Sequence, residues 1–114
     1  MDGVERPLDE DAATALANPA PDDRLARVRG HELYVIHCRP CHGDKGRGDG
    51  PVARHLSEPP VDLAAADLQA ETSDGGLYHV IGNGTLSEVM PGFAADVRPS
   101  DRWLLVRHVR TFGR

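Results

Sequence analysis

The only two cysteines of the chain stand beside a histidine, in the order Cys38-Arg39-Pro40-Cys41-His42. A Cys-x-x-Cys-His spacing is typical of c-type haem attachment. Two thiols at this spacing can reach the two vinyl groups on one edge of a porphyrin, and the imidazole of the next residue can bind the iron. The spacing therefore predicts one covalently bound haem c, attached through Cys38 and Cys41, with His42 as an iron ligand.

A zinc site and a dithiol redox pair are the alternatives for the same cysteines. Structural zinc takes four ligands, and apart from His42 no further Cys or clustered His pair stands at ligand spacing. A thioredoxin-like pair is flanked by strand–helix units, and the sequence around Cys38 and Cys41 predicts none. Both alternatives are therefore less consistent with the sequence than haem attachment.

A second iron ligand is predicted in the apolar segment Val89-Met90-Pro91-Gly92-Phe93. Pro91 favours an extended conformation for Met90, which suits presenting its thioether sulfur to a metal. Ordinary apolar packing is the alternative role, because methionine fills irregular core space well. The remaining histidines are expected at the surface or half-buried, away from any metal. They are His31, His37, His55, His79 and His108.

The composition indicates one small domain with a thin apolar core. The 114 residues include only 4% aromatic side chains, with 12 glycines and 9 prolines that favour turns. A domain of this size buries roughly two-thirds of its unfolded surface, so a buried macrocycle would add to the core. The net charge of −5 and the scattered basic residues disfavour nucleic acid binding and a polybasic membrane patch. An acidic chain is expected to meet a basic or mixed partner surface.

Residues 1–23 are acidic and rich in Ala, Pro and Asp. Such a composition buries little surface and predicts a flexible acidic tail or linker ahead of a domain at residues 24–114. A strap across the domain surface, or a docking segment, is the alternative for the same residues.

A first long helix is predicted from Arg24 to about Ile36, with Asp22 or Asp23 as its N-cap. Gly30 interrupts this helix, and glycine inside a helix costs about 1 kcal/mol relative to alanine. A close crossing of another helix, formed by the C-terminal segment, would account for it. The apolar stripe of the helix is expected to contain Leu25, Val28, Leu33 and Ile36.

A glycine-dense loop, residues 43–51, follows His42 and predicts tight turns close to a flat group. It is not a phosphate-binding loop, because no Gly-Lys-Ser/Thr sequence follows. Pro51 has no N–H group, and its carbonyl is predicted to accept the Nδ1–H of His42. That bond would fix the imidazole ring and make it a stronger ligand.

Two further helices are predicted in the second half of the chain. The first, from Gly75 to Ile81, is capped by Ser73-Asp74 and ends at Gly82-Asn83-Gly84. It would turn three side chains toward the haem pocket, namely Leu77, Tyr78 and Ile81. The last helix begins at Pro99-Ser100-Asp101 and ends near Thr111. Its apolar side chains are Trp103, Leu104, Leu105, Val106 and Val109, and its arginines, expected on a solvated face, are Arg102, Arg107 and Arg110.

Between residues 28 and 113 the order of these features resembles the class I monohaem cytochromes c. The matching segments are Gly30-x-x-x-Tyr34-x-x-x-Cys38, Cys38-x-x-Cys41-His42-Gly43, Gly48-x-Gly50-Pro51, Asp74-Gly75-x-Leu77-Tyr78-x-x-Ile81, Met90-Pro91-x-Phe93 and Arg102-Trp103-x-Leu105-Val106. The resemblance implies an all-α fold, the class I cytochrome c fold, whose N- and C-terminal helices cross at Gly30 around one covalently bound haem.

The same resemblance implies that His42 and Met90 are the axial ligands, with the Pro51 carbonyl behind His42. Further cofactor-binding residues predicted for the pocket are Leu77, Tyr78, Ile81 and Phe93. More narrowly, the motifs are similar to those of the small cytochrome c subunit of alternative complex III and related periplasmic carriers. His108 departs from the pattern, because the family usually has an aromatic residue there.

The predicted ligand set indicates the function. With a histidine and a methionine on its two faces, the iron has no open position for oxygen or substrate, and methionine favours the reduced state. The chain is therefore predicted to be an electron carrier and not an enzyme, working through the haem edge near Cys38 and Cys41. It would serve as a periplasmic carrier or as the cytochrome subunit of a respiratory complex, with redox proteins as donor and acceptor. If Met90 does not bind, a five-coordinate haem sensor or peroxidase-like domain is the alternative, and a structural or docking cytochrome module of a larger oxidase or dehydrogenase is another.

The expected location follows from the resemblance rather than from a targeting signal. No segment approaches the roughly 18 to 20 apolar residues of a membrane-spanning helix, and the acidic start, Met1-Asp2-Gly3-Val4-Glu5, differs from a signal peptide. Haem attachment in cytochromes c takes place on the exported side of the membrane. A periplasmic or exported location is therefore expected, with a leader or anchor removed from this chain.

Overall fold

The structure is a computed structural model that describes residues 10–113. Within that range the chain forms helices and no strand. The helices are α1 (Glu10–Thr14), α2 (Arg24–His37), α3 (Arg39–His42), α4 (Ala66–Glu71), α5 (Asp74–Asn83) and α6 (Pro99–Thr111), with a short 3-10 helix at Ala53–His55. None of these helices is both long and apolar enough to cross a lipid bilayer.

Helix α2 begins where the sequence predicts but buries a different face. The side chain of Asp23 accepts a hydrogen bond from the Ala26 amide at 2.9 Å, which confirms this residue as the N-cap. The prediction for the apolar stripe is wrong except at Leu33, because Leu25, Val28 and Ile36 are 81%, 50% and 63% exposed. The buried face instead contains Ala26, Gly30, Leu33 and Tyr34.

The orientation of α2 is set by its crossing with α6. A Cβ atom placed on Gly30 would lie 2.6 Å from the Leu104 carbonyl oxygen, so the two helix backbones meet without a side chain between them. The face with small residues must point to α6 for this approach, and the longer aliphatic side chains are left outside. On the other side of the contact, α6 buries Trp103, Leu105, Val106 and Val109. The predicted crossing at Gly30 is confirmed.

Residues 10–23 pack against the domain, which corrects the prediction of a flexible tail for this part of the chain. Ala13 is buried, and the Ser73 hydroxyl donates to the Thr14 carbonyl at 2.9 Å. Asn18 Nδ2 donates to the Trp103 carbonyl at 3.0 Å, and Arg107 donates to the Ala20 carbonyl at 2.6 Å. In each of these hydrogen bonds the acceptor is a backbone carbonyl. Amino-acid composition does not predict such bonds, because every residue has a carbonyl. Residues 1–9 of the predicted tail lie outside the described residues.

Helix α5 is joined to α6 by an arginine that the sequence analysis placed on a solvated face. Arg110 Nε donates to Asp74 at 2.7 Å, and its other nitrogens donate to the carbonyls of Gln69 and Thr72 at 2.9 and 2.6 Å. The N-cap of α5 is Ser73, whose hydroxyl accepts from the Gly76 amide at 3.0 Å, as predicted. Arg110 therefore links α6 to the C-terminal end of α4 and to the first residue of α5.

His108 lies in an aromatic cluster at the α2–α6 crossing. Its ring centroid lies 4.7 Å from that of Tyr34, 5.2 Å from that of His31 and 5.2 Å from that of Phe112. Burial and, to a smaller extent, the nearby His31 together lower the pKa of His108 to about 4. The neutral imidazole thus takes the place of the aromatic ring expected at this position.

The helix crossing can be tested with Gly30→Ala. The added methyl group collides with the Leu104 carbonyl, so α2 and α6 must separate, and we expect the free energy of unfolding to fall by about 1–3 kcal/mol. Gly76→Ala is the matched control inside α5, where a Cβ would lie 3.3 Å from its nearest neighbours. It should be neutral or stabilising by up to about 1 kcal/mol. Denaturant unfolding of both variants measures the difference, and equal losses would contradict the crossing.

The pH dependence of stability can be tested with His108→Phe. Between pH 6.5 and about 4 the unfolded chain binds a proton at this residue while the folded chain resists it. Wild-type stability should therefore decrease as the pH falls through this window. Because the ring is only about half buried, solvent screening should reduce the loss to about 1–2 kcal/mol, below the roughly 1.4 kcal/mol per pKa unit of a fully buried group. His108→Phe should remove that part of the decrease, whereas His55→Gln, at an exposed position, should leave it. Parallel wild-type and His108→Phe profiles would show that His108 titrates normally.

Candidate functional site

A cleft with mostly apolar walls opens beside the Cys-x-x-Cys-His segment. Cys38, Cys41 and His42 line its floor. One wall is formed by Leu56 and residues 58–61, and the other by Thr85, Ser87, residues 89–91 and Phe93, with His37 next to the floor. Of the predicted site residues, the cleft thus brings together the two cysteines, His42, Met90 and Phe93.

The single turn of α3 places the floor residues. The Cys38 amide closes α2 by donating to the Tyr34 carbonyl at 2.8 Å, and the His42 amide donates to the Cys38 carbonyl at 2.9 Å. Residues three and four positions apart share one face of a helix. Cys41 and His42 therefore face the same cleft as Cys38, which is the arrangement that the spacing predicts.

The two thiols are free and their environment disfavours redox reactivity. Cys38 is buried and Cys41 half-buried, and neither forms a disulfide. Burial and, to a smaller extent, the neighbouring Cys41 together raise the pKa of the Cys38 thiol to about 12. A dithiol redox pair needs a lowered thiol pKa, so this alternative loses support. Among residues 10–113, no group of three or more His, Cys, Asp or Glu side chains could hold a metal ion such as zinc.

A buried hydrogen bond holds the loop that follows His42. The Tyr34 hydroxyl donates to the Gly43 carbonyl at 2.6 Å. The loop then folds back onto α3, because the Gly48 amide donates to the His42 carbonyl at 2.8 Å and the Gly50 amide to the Cys41 carbonyl at 3.0 Å. Gly43 has a φ of 82°, a conformation that favours glycine. The loop thus fixes the backbone of the floor from its outer side.

His42 is buried and its Nδ1 atom has no hydrogen-bond partner among the described residues. Burial lowers the pKa of the imidazole, and the Val61 backbone acts more weakly in the opposite direction. The neutral ring suits a metal ligand, which must be deprotonated to bind.

The prediction for Pro51 is wrong. Pro51 is exposed and lies in a separate groove of mixed charge with Arg39 and Lys45, outside the cleft. Pro60 and Val61 occupy the wall beside His42 instead. The sequence contains a signal for them, because Pro59-Pro60 is the second proline site after His42.

Met90 reaches the cleft on a loop that is bonded to the end of α5. The Phe93 amide donates to the Ile81 carbonyl at 2.9 Å, and the Ala94 amide donates to the Gly82 carbonyl at 3.1 Å. The Thr85 amide donates to the Met90 carbonyl at 3.2 Å and closes the loop at its base. Met90 is half-buried and lines the same cleft as His42.

The three predicted pocket residues of α5 do not line the cleft. The Tyr78 ring stacks on Trp103 at a centroid distance of 4.0 Å, with Arg102 5.0 Å from the Tyr78 centroid. Leu77 and Ile81 are buried in the hydrophobic core, in the same cluster as Cys38. The structure therefore does not bring the three predicted residues to the cleft surface. Tyr78 packs on α6, and Leu77 and Ile81 lie behind Cys38 in the core.

The donor set of the cleft fits a haem. Two thiols, a neutral imidazole and a thioether surround one cleft with apolar walls, which is the donor chemistry of a covalently attached macrocycle with histidine and methionine ligands. The buried, unsatisfied Nδ1 of His42 also fits a ring whose final orientation depends on a metal bond at the other nitrogen.

Comparison with known proteins points to the same chemistry. The model of the family described as "Cytochrome C oxidase, cbb3-type, subunit III" matches residues 26–109. The cbb3-type cytochrome c oxidase subunit FixP of Azorhizobium caulinodans is 26% identical over 103 residues, which cover 90% of this chain and 33% of the relative. The chain thus spans about one third of the length of this curated relative.

Two solved structures share the fold. The KustC0563 c-type cytochrome is 34% identical, with a TM-score of 0.65 over 75% of this chain and 98% of that one. The Kuenenia stuttgartiensis reducing HAO-like protein complex Kustc0457/Kustc0458 is 26% identical, with a TM-score of 0.75 over 89% of this chain and 49% of that one.

The anchor of the floor can be tested with Tyr34→Phe. The change removes the donor to the Gly43 carbonyl, so we expect the free energy of unfolding to fall by about 1–3 kcal/mol. Amide hydrogen exchange at Gly48 and Gly50 should also accelerate, because their bonds depend on the position of the loop. Tyr78→Phe, which keeps the ring stack on Trp103, is the control and should change neither quantity appreciably. Unchanged exchange at Gly48 and Gly50 in Tyr34→Phe would contradict the anchoring role.

Proposed function

Because this chain belongs to the family of c-type cytochromes that includes subunit III of cbb3-type cytochrome c oxidase, we propose that it transfers single electrons through one haem c. The haem would be attached through Cys38 and Cys41. The observation that carries this proposal is that both cysteines, His42 and Met90 line one cleft with mostly apolar walls.

Each of these residues has a distinct role in the proposal. Cys38 and Cys41 would form the thioether bonds and hold the group against α3. His42, kept neutral by burial, would supply an imidazole nitrogen to the iron. Met90 would supply the thioether sulfur, which favours the reduced form. When bound, the haem supplies a one-electron couple between ferrous and ferric iron.

The apolar walls complete the site by excluding water and small reactants. Apart from the two cysteines and His42, the ionisable side chains of the lining are His37, whose ring lies 5.6 Å from that of Phe93, and Glu58, which is exposed at the edge. With His42 and Met90 on the two faces of the metal, the site would support electron exchange and no bond-making chemistry at the iron. The chain is thus proposed as a carrier or carrier subunit and not as an enzyme in itself.

Partners and location follow from the same proposal. Donor and acceptor would be redox proteins, met either by a free carrier or by a subunit of a larger respiratory complex. The similarity to a cbb3-type oxidase subunit and to one component of a Kuenenia complex supports the subunit form.

Haem attachment supports a location on the exported, periplasmic side. The narrower resemblance to the alternative complex III subunit stays a prediction.

The ligand set can be tested with Met90→Ala. The oxidised wild-type protein should show the weak long-wavelength absorption band of methionine sulfur on ferric haem. Met90→Ala should lose this band, gain high-spin features and bind carbon monoxide rapidly when reduced, because one face of the metal becomes open. Ser87→Ala, which changes another residue of the same wall, should keep the wild-type spectrum.

The spectrum of the wild-type protein also decides between the proposal and its alternative. High-spin features in the oxidised form, with rapid carbon monoxide binding in the reduced form, would favour a five-coordinate sensor or peroxidase-like domain and would overturn the assignment of Met90.

A further inference from the structure

Every second residue of the loop before Met90 lines the cleft. Thr85, Ser87 and Val89 belong to its lining, where Thr85 and Ser87 are exposed at the edge, and Leu86 and Glu88 between them are exposed outside it. Leu86 is 105% exposed, the largest exposure among the apolar side chains that the structure describes as exposed. A fully exposed leucine therefore stands between two residues of the cleft wall.

The projection of Leu86 is held by the loop itself. Glu88 has a φ of 62°, a left-handed conformation that is uncommon for a residue other than glycine. The Glu88 amide donates to the Thr85 carbonyl at 3.0 Å, and the hydroxyls of Thr85 and Ser87 lie 3.2 Å apart. Such a conformation persists only where the surroundings fix it. Leu86 is thus presented by an ordered turn.

The opposite wall has the same surface character. Val61 is 58% exposed, and Pro59 and Glu58 are exposed beside it. Together, residues 56–61 and 85–91 contain two carboxylates, Glu58 and Glu88, and no lysine or arginine. We call these two segments the cleft rim. The rim is apolar at its centre and negatively charged on both sides of the cleft.

We propose that the cleft rim is the docking surface for a redox protein whose contact surface is apolar at its centre and carries lysine or arginine side chains. The inference rests on the proposed electron-transfer function, because a partner must approach the edge of the cleft. Burying Leu86 and Val61 would supply the apolar part of the contact. Glu58 and Glu88 would attract the cationic groups and orient the partner, which the net charge of −5 assists.

Another exposed apolar region, on α2, differs in its charge. Leu25 and Val28 are exposed there beside Arg24, Arg27 and Arg29, far along the chain from the cleft walls. The charges of this region are mixed, because Arg27 and Arg29 pair with Asp22 and Asp101, whereas the rim contains no lysine or arginine. Leu25 therefore provides a control for the exposed leucine of the rim.

The docking chemistry can be tested with tris(1,10-phenanthroline)cobalt(III), a trivalent cation with flat apolar ligands. Added to the oxidised, isotope-labelled holoprotein it is diamagnetic and receives no electron, so amide chemical shifts report binding alone. We expect shifts at residues 58–61 and 85–89. Leu86→Ser should weaken the association about threefold, in the range of a contact residue of modest energy. Glu58→Gln with Glu88→Gln should weaken it about threefold or more at low salt and much less at high salt.

Leu25→Ser and Glu32→Gln, both on α2, are the controls and should bind as the wild type does. The anion hexacyanocobaltate(III), also diamagnetic, should cause no shifts at the rim. Rates of oxidation of the reduced protein by the cobalt cation should fall in the rim variants in the same order as the affinities.

Two results would overturn the docking surface, namely shifts confined to residues outside the rim, or wild-type affinity in Leu86→Ser and in the double glutamine variant. These results are distinguishable from failure of the electron-transfer proposal. The titration of the oxidised protein needs no electron transfer, whereas the methionine band tests the ligand set. A present band with no binding at the rim would reject the docking surface alone.

Discussion

The direct contact between the backbones of α2 and α6 at Gly30 controls the rest of the structure. Because the Leu104 carbonyl lies where a side chain of residue 30 would be, the two helix backbones touch directly at this point. In this arrangement Tyr34 packs against the rings of His108 and Phe112, and its hydroxyl donates to the Gly43 carbonyl. The position of His42, one residue before Gly43, thus depends on a contact in the middle of α2.

The cleft that results is an environment for neutral ligands. Burial shifts the pKa of Cys38 upward and that of His42 downward, and in both cases the uncharged form gains. A thioether and a neutral imidazole bind iron without adding charge to the interior. The same apolar surroundings that would make Cys38 a poor redox thiol therefore suit the attachment of a large apolar group. One physical property, exclusion of water, accounts for both observations.

Most of the fold could be predicted from local signals. The N-caps at Asp23 and Ser73 and the close crossing at Gly30 follow from residue types whose roles depend little on context, and the resemblance to class I cytochromes c is confirmed by the family match and the helical structure. The buried face of α2 could not be predicted from hydrophobicity. The closest approach of two helices selects the smallest residues, so Leu25 and Ile36 were turned outward.

The errors at the site have a common cause. Pro51 and Pro60 both follow the histidine, and only the path of the intervening loop decides which one reaches it. The attachment of residues 10–23 depends on backbone carbonyl groups, such as that of Ala20. Every residue has a carbonyl, so the sequence does not show which ones accept a hydrogen bond. Tyr78 stacks on Trp103, a pairing that requires the relative position of two helices. Apart from the crossing at Gly30, interactions between distant parts of the chain could not be predicted from spacing and composition.

The loop that carries Met90 has one further consequence. The last carbonyls of a helix lack partners within it, and here those of Ile81 and Gly82 accept the amides of Phe93 and Ala94. The loop therefore continues the hydrogen-bond pattern of α5. Its position is fixed by that of a helix whose inner face is buried. A metal held from this loop would keep nearly the same bond lengths when its charge changes by one. Small nuclear displacement means a low reorganisation energy, and that is what lets an electron cross to a partner at modest driving force.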